Sequence, residues 1–212
     1  IEAAQKAKTL DYFLVSTGDE EIARLSKVYG ARVPFKRPKK LRGDVDSSLV
    51  IKHAVEWFES EKGKRVDYVV TIQPTSPFRT SEDIDTCVNI ARASGVESVI
   101  SIKKASEHPF WCLTLKPFGH EVEPFLNDIK LEGDLLVSQK LPLALYPNGA
   151  VYVTRRDVIM SGRLFGRHMY AYMMPRIRSV DLEEEYDFYV ASALIPILKK
   201  EEPYAQISWM IP

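Results

Sequence analysis

The segment DYVVTIQPTSPFRTSED, residues 67–83, decides the fold. Its apolar opening, 67–72, reads as a short strand. That strand runs straight into a polar turn bracketed by Pro74 and Pro77 and holding Gln73, Thr75, Ser76 and Arg79. Ser81 then caps a helix, and Glu82 and Asp83 fall beside its positive N-terminal end. A chain that only had to leave a sheet would not need that many donors in the turn.

Working outward, the same alternation continues on both sides. A helix from Glu2 is followed by a strand at 12–16, a helix capped by Thr17 or Asp19 and running to Tyr29, and a strand at 32–35. After a basic loop, Ser47 or Ser48 caps a helix to about Glu61. Downstream lie strands at 98–103, 150–154 and 171–174, a short segment at 157–161, and a helix from about Glu183 to Lys199. Helices alternating with short apolar strands predict an α/β fold: a mostly parallel sheet with helices on both faces. The rhythm breaks over 108–145, where Phe110, Trp111, Leu113, Leu115, Val122 and Phe125 alternate with polar residues around Pro117 and Gly119. That stretch is a strand-rich excursion. The expected organisation is therefore an α/β half at 1–107, the excursion at 108–145, and the remainder of the α/β domain at 146–212.

Composition narrows the function. The 212 residues are 45% hydrophobic and 27% charged with zero formal net charge, so nothing in the balance calls for nucleic acid or an anionic membrane. Apolar runs are broken by charges well short of a bilayer span, and no basic leader with an apolar core opens the chain, which makes a cytoplasmic protein the expectation. Cys87 and Cys112 make neither a metal spacing nor a disulfide framework. The opening IEAAQKAK has helical composition and no methionine, and reads as a chain cut within an element.

In open α/β sheets ligands bind beyond the carboxyl ends of strands, and three polar clusters are expected there. They are KRPKKLRGDVDSS (36–48), QPTSPFR (73–79) and SVDLEEEYD (179–187). Each has an ordinary alternative. A basic run is usually a solvated loop, paired serines cap helices, Ser and Thr in proline turns bond locally, and an acidic run offsets a helix macrodipole. His108 beside Pro109 reads as structural.

Taken together the motifs carry a resemblance. VSTGDEEIA (15–23), GARVPFKRP (30–38), TIQPTSPFRT (71–80), PNGAVYV (147–153) and SVDLEEEYDF (179–188) occur in an order and spacing that resembles the acylneuraminate cytidylyltransferase family, the CMP-sialic acid synthetases. QPTSP with NGAVY is the most specific part. The resemblance implies a nucleotide-diphospho-sugar transferase fold, CTP and a nine-carbon 2-keto sugar acid (a nonulosonic acid) as substrates, Mg²⁺ as cofactor, and a homodimer whose excursion reaches across to the partner. By match to the family pattern, Arg37 approaches the cytosine and Ser48 the nucleoside. Gln73 bonds the sugar at the catalytic centre, with Asn148 and Tyr152 lining the same pocket, and Gly149 lets the backbone pass close to the ligand. Asp181 is the principal metal carboxylate and Glu183 the second.

The chain departs from that pattern in four places. The family's glycine-rich triphosphate loop falls before Ile1. Glu183 stands where an aspartate is common, keeping the charge with a longer reach. Trp111 and Ser138 occupy positions at which close bacterial sialic acid enzymes carry a lysine and an arginine, with Lys116 or Lys140 as substitutes, and this points to a relative of sialic acid such as legionaminic acid. The rivals are another sugar nucleotidyltransferase and a nucleotide- or sugar-binding domain without catalysis. On the interface expectation, Trp111 and its strand neighbours sit between subunits.

Overall fold

The computed structural model describes residues 1–199. In chain order the elements are α1 (Glu2–Lys6), α2 (Glu20–Val28), α3 (Ser47–Lys62), β1 (Tyr68–Thr71), α4 (Ser81–Ser94), β2 (Ser98–Lys104), β3 (Leu113–Leu115), β4 (Val122–Pro124), β5 (Leu145–Arg155), α5 (Arg156–Met160), β6 (Met169–Met173) and α6 (Glu185–Leu198). The main sheet has the order β1-β5-β2-β6. β5 is antiparallel to both β1 and β2, whereas β2 and β6 are parallel, so three of the four strands share one direction and β5 runs against them. The reversed strand was not expected from the sequence. It follows from its connection: β1 and β2 are joined through α4 as a parallel crossover, but β5 is reached from β2 through the non-helical excursion and returns antiparallel.

This topology decides where the motifs meet. Because β5 is reversed, its beginning, PNGA, lies at the end of the sheet where β1 and β6 finish. Thr71 pairs with Tyr152, and Gln73 N–H donates to the Gly149 carbonyl at 3.3 Å.

Side chains alternate across the strands and build two cores. On one face, Ile84, Cys87, Val88 and Ala91 of α4 pack with Val99, Val151, Val153 and Met174. On the other, Ile100, Ile102 and Tyr152 pack with Leu164 and Phe165. That second side is completed by α3, which is tied to α5 and its following turn by Glu59–Arg156 (2.6 and 2.7 Å) and by Ser48 Oγ donating to the Gly162 carbonyl at 3.0 Å. The strands of the main sheet thus lie between Tyr68 and Met173, with the excursion inserted between β2 and β5.

The starts of α3 and α4 lie a residue from the expected ones, while α2 starts at one of the two expected caps. Thr80, not Ser81, caps α4, in a reciprocal box in which Thr80 Oγ1 accepts from Asp83 N–H (3.3 Å) and Asp83 Oδ2 accepts from Thr80 N–H (2.9 Å). Asp46 caps α3 in place of Ser47 or Ser48, and Asp19 caps α2. The expected strands at 12–16 and 32–35 are extended segments joined by a single parallel bridge, Thr17 to Lys36. Pro34 lies between their bonded positions and has no N–H to continue a ladder.

The excursion holds a short antiparallel hairpin, β3 with β4, and three 3₁₀ turns. Leu115, Phe118, Phe125, Leu136 and Leu143 are exposed along it. Trp111 is held inside the excursion, its indole N–H donating to the Leu135 carbonyl at 2.6 Å. His108 is structural: Nδ1 accepts from Phe110 N–H, and Nε2 meets the Pro142 carbonyl at 3.0 Å. Cys87 is buried, Cys112 exposed, and both are free. Among the described residues no helix is long and apolar enough to cross a membrane.

Candidate functional site

The QPTSPFR turn spends most of its donors on other parts of the protein. Ser76 is fully buried and its hydroxyl donates to the Asn148 carbonyl at 2.9 Å. Arg79 donates from Nε to the Ala150 carbonyl at 2.7 Å and from its terminal nitrogen to the Gln73 carbonyl. Burial pulls the Arg79 guanidinium down to about 10, still charged at neutral pH. The Thr75 carbonyl accepts from Leu182 N–H at 2.8 Å. The turn therefore knits the start of β5 to the segment carrying Asp181. The Gln73 side-chain amide stays out of this network. Gln73 Oε1 lies 2.4 Å from where a Cβ on Gly149 would stand, and Gly149 has φ +71°, so the glycine leaves room for the glutamine as well as adopting left-handed backbone.

Asn148 is placed differently from expectation. It is fully buried; Oδ1 accepts from Ser101 Oγ (2.6 Å) and Ala150 N–H (3.2 Å), and Nδ2 donates to Ser179 Oγ (2.9 Å) and toward Met174 Sδ (3.2 Å). Ser101 sits where the β2–β5 register shifts, so the bulge re-aims a hydroxyl at the asparagine. Both ends of its amide are satisfied internally, so Asn148 ties the start of β5 to Ser101 and Ser179. Tyr152 is also buried. Its hydroxyl accepts from Gly149 N–H at 3.0 Å, its ring packs edge-on against Phe165, and burial, with the negative Asp181 adding to it, raises the phenol pKa.

Asp181 lies between the 3₁₀ turn Arg176–Arg178 and α6. Its Oδ1 is buried and accepts from no donor. A carboxylate oxygen desolvated without a partner is costly, and a cation at that atom would compensate it. Glu183 is exposed; its N–H donates to Asp187 Oδ2 at 2.9 Å. Asp187 and Glu184 form the capping box of α6, so the ordinary helix-start reading holds for the second half of the acidic run and not for Asp181. No group of three or more His, Cys, Asp or Glu placed to hold a metal ion occurs among the described residues. A donor set of one or two carboxylates fits Mg²⁺, which keeps waters and takes substrate phosphates as its remaining ligands.

Gln73, Tyr152 and Asp181 are thus brought to one end of the sheet. Arg37 and Ser48 make no hydrogen bond to that group. Arg37 donates to Ser16, and its own carbonyl accepts from Arg42 Nε and a terminal nitrogen of Arg42 (3.0 and 2.9 Å). The two arginines, with Thr17, Gly18, Asp19 and Gly43, line a cavity of about 330 Å³. Neither arginine is paired with a carboxylate among the described residues. Ser48 is fully buried with its hydroxyl engaged by Gly162, which makes it a packing contact of α3. Arg42 was missed at the sequence level because it sits in a basic run where no single position stands out. Ser101 and Ser179 were missed because their partner is another buried side chain.

Two relatives align along nearly the whole chain: the CMP-N,N'-diacetyllegionaminic acid synthase of Legionella pneumophila, 29% identical over 93% of this chain and 83% of its own length, and the N-acylneuraminate cytidylyltransferase of Escherichia coli, 26% identical over 90% of this chain and 43% of its own. Among solved structures, a CMP:2-keto-3-deoxy-manno-octonic acid synthetase complexed with CTP superposes with TM-score 0.58 at 11% identity, covering 94% of this chain and 86% of that one, a likeness of fold. The cytidylyltransferase family model matches residues 1–163, most of the 212, and the chain belongs to that family.

Proposed function

We propose that the protein transfers CMP from CTP to the anomeric hydroxyl of a nonulosonic acid of the sialic or legionaminic type, releasing pyrophosphate. The observation that carries this is the convergence of Gln73, Tyr152 and the unpartnered Asp181 oxygen at one sheet end in a chain of the cytidylyltransferase family. The names of its relatives support the acceptor: two CMP-N,N'-diacetyllegionaminic acid synthases and several N-acylneuraminate cytidylyltransferases align over about nine-tenths of the chain.

The anomeric oxygen forms a bond to the α-phosphorus of CTP while the bond from that phosphorus to the bridging oxygen breaks, and pyrophosphate departs with the electron pair. The hydroxyl proton is released. Little covalent work falls to the protein, so positioning and charge neutralisation supply the acceleration. Gln73 both donates and accepts, which suits neutral sugar hydroxyls. Its backbone is immobilised by Arg79 and Gly149, so little order is lost on binding. Asp181 and Glu183 would hold Mg²⁺, which when bound offsets the charge on the phosphates. The Arg37–Arg42 cavity supplies positive charge for the nucleotide. We further propose a homodimer built on the apolar excursion and a cytoplasmic site of action.

The test is a partition of steady-state constants. Arg37→Ala should chiefly raise KM for CTP, and Gln73→Ala chiefly KM for the sugar, since a stranded polar partner costs about 1–3 kcal/mol. Equal effects of each substitution on both substrates would contradict the assignment.

A further inference from the structure

A buried ion pair anchors the segment that leads to Asp181. Asp83 is wholly buried at the start of α4 and accepts from Thr80 N–H (2.9 Å), the Tyr172 hydroxyl (2.9 Å) and both Nε and a terminal nitrogen of Arg178 (3.3 and 2.7 Å). Arg178 closes the 3₁₀ turn three residues before Asp181. On the other side of Asp181, Leu182 N–H is fastened to the Thr75 carbonyl. Between these anchors, Ser179 is gripped twice more: its hydroxyl accepts from Asn148 and its carbonyl from Lys103 Nζ at 3.1 Å.

We infer that Asp83 and Arg178 form a positioning pair that sets the direction of the Asp181 carboxylate. The inference rests on the reading of Asp181 as a metal-holding group. From Ser179 to Glu184 the chain has no helix or strand of its own to fix its path, so its placement depends on these anchors. A buried ion pair is a poor way to gain stability alone, because desolvation offsets the attraction. What a guanidinium forked onto a carboxylate adds is geometry, since both groups are planar and their contact fixes orientation. Asp83 is locked by α4 and by Tyr172 of β6, so Arg178 inherits a rigid reference and hands it to the segment ahead. None of the anchors touches Asp181 Oδ1, which is left aimed and unsatisfied. Groups of this kind behind a metal ligand are where affinity is tuned.

The experiment measures Mn²⁺, as a probe for a divalent cation, binding to the full chain by loss of the free-ion signal in electron paramagnetic resonance, alongside melting temperature and steady-state kinetics. Arg178→Gln should weaken Mn²⁺ binding about 10-fold or more. It should lower kcat with KM for both substrates nearly unchanged, and Arg178→Lys should restore part of the loss. In the Asp181→Ala background, Arg178→Gln should weaken Mn²⁺ binding no further. Parental Mn²⁺ affinity in a folded Arg178→Gln protein, whatever its melting temperature, overturns the pair's role and leaves the metal reading standing. Parental affinity in Asp181→Ala overturns the metal reading itself, and the pair's role with it. Should Arg178→Gln fail to fold, Tyr172→Phe removes another donor to the same carboxylate: a smaller fall in Mn²⁺ affinity supports the inference, and an unchanged affinity rejects it.

Discussion

Gly149 concentrates the site into one position. A methyl group there would force left-handed backbone on an L-residue, a cost of about 1–2 kcal/mol. It would also meet Gln73 Oε1 at 2.4 Å and Ser76 Oγ at 2.9 Å. Gly149→Ala should therefore lower the melting temperature and raise KM for the sugar while leaving KM for CTP near the parental value; an unchanged sugar KM in steady-state assays would remove Gln73 from the acceptor site. At this scale the sequence was legible for position: the motifs carrying Gln73, Tyr152 and Asp181 were expected near one end of the sheet, and they lie there. The internal partners of Asn148 and Ser48 were not legible, because an amide or a hydroxyl looks the same in sequence whatever it bonds. In both cases the partner lies far off in sequence, Ser101 and Ser179 for the asparagine and Gly162 for the serine.

At the scale of elements, side-chain caps and one ion pair hold the helices that frame the site. Thr80→Ala removes the acceptor for Asp83 N–H at the start of α4 and should cost about 1 kcal/mol, read as a shift in denaturant midpoint without a change in slope. The forked contact of Arg156 with Glu59 joins α3 to α5, and together with the Val66 N–H it holds the Glu59 carboxyl down to about 2. A depressed carboxyl pKa gives stability that is complete above its unfolded value, near 4.5, and is lost as pH falls through the folded value. Wild type should thus lose stability more steeply than Arg156→Met between roughly pH 4.5 and pH 2, while at neutral pH the variant is the less stable by a constant amount. Equal acid dependence of the two, followed by circular dichroism, would show that the contact contributes nothing in solution. Helices and co-directional strands were foreseeable from periodicity. The reversal of β5 was not, because direction depends on the path of 108–145, whose short strands and turns carry no strong period.

For the whole molecule, the proposed dimer rests on the excursion. Leu115, Phe118, Phe125, Leu136 and Leu143 are exposed together on a segment that lacks a core of its own. Trp111 is engaged internally with Leu135, so Phe125 is the better probe. Phe125→Asp should shift a dimer toward monomer in sedimentation velocity with little change in melting temperature, and a wild-type chain that sediments as a monomer at micromolar concentration would exclude the dimer. The transfer reaction itself is followed through phosphorus. The full-length gene product is incubated with Mg²⁺, CTP and N-acetylneuraminate or N,N'-diacetyllegionaminate, and ³¹P magnetic resonance records the products. A CMP-sugar phosphodiester and pyrophosphate should appear in equal amounts with at least one acceptor, CTP should be preferred over other nucleoside triphosphates, and Asp181→Ala should form neither product. Pyrophosphate without a phosphodiester, no reaction with either acceptor, or parental turnover by Asp181→Ala would contradict the proposed transfer.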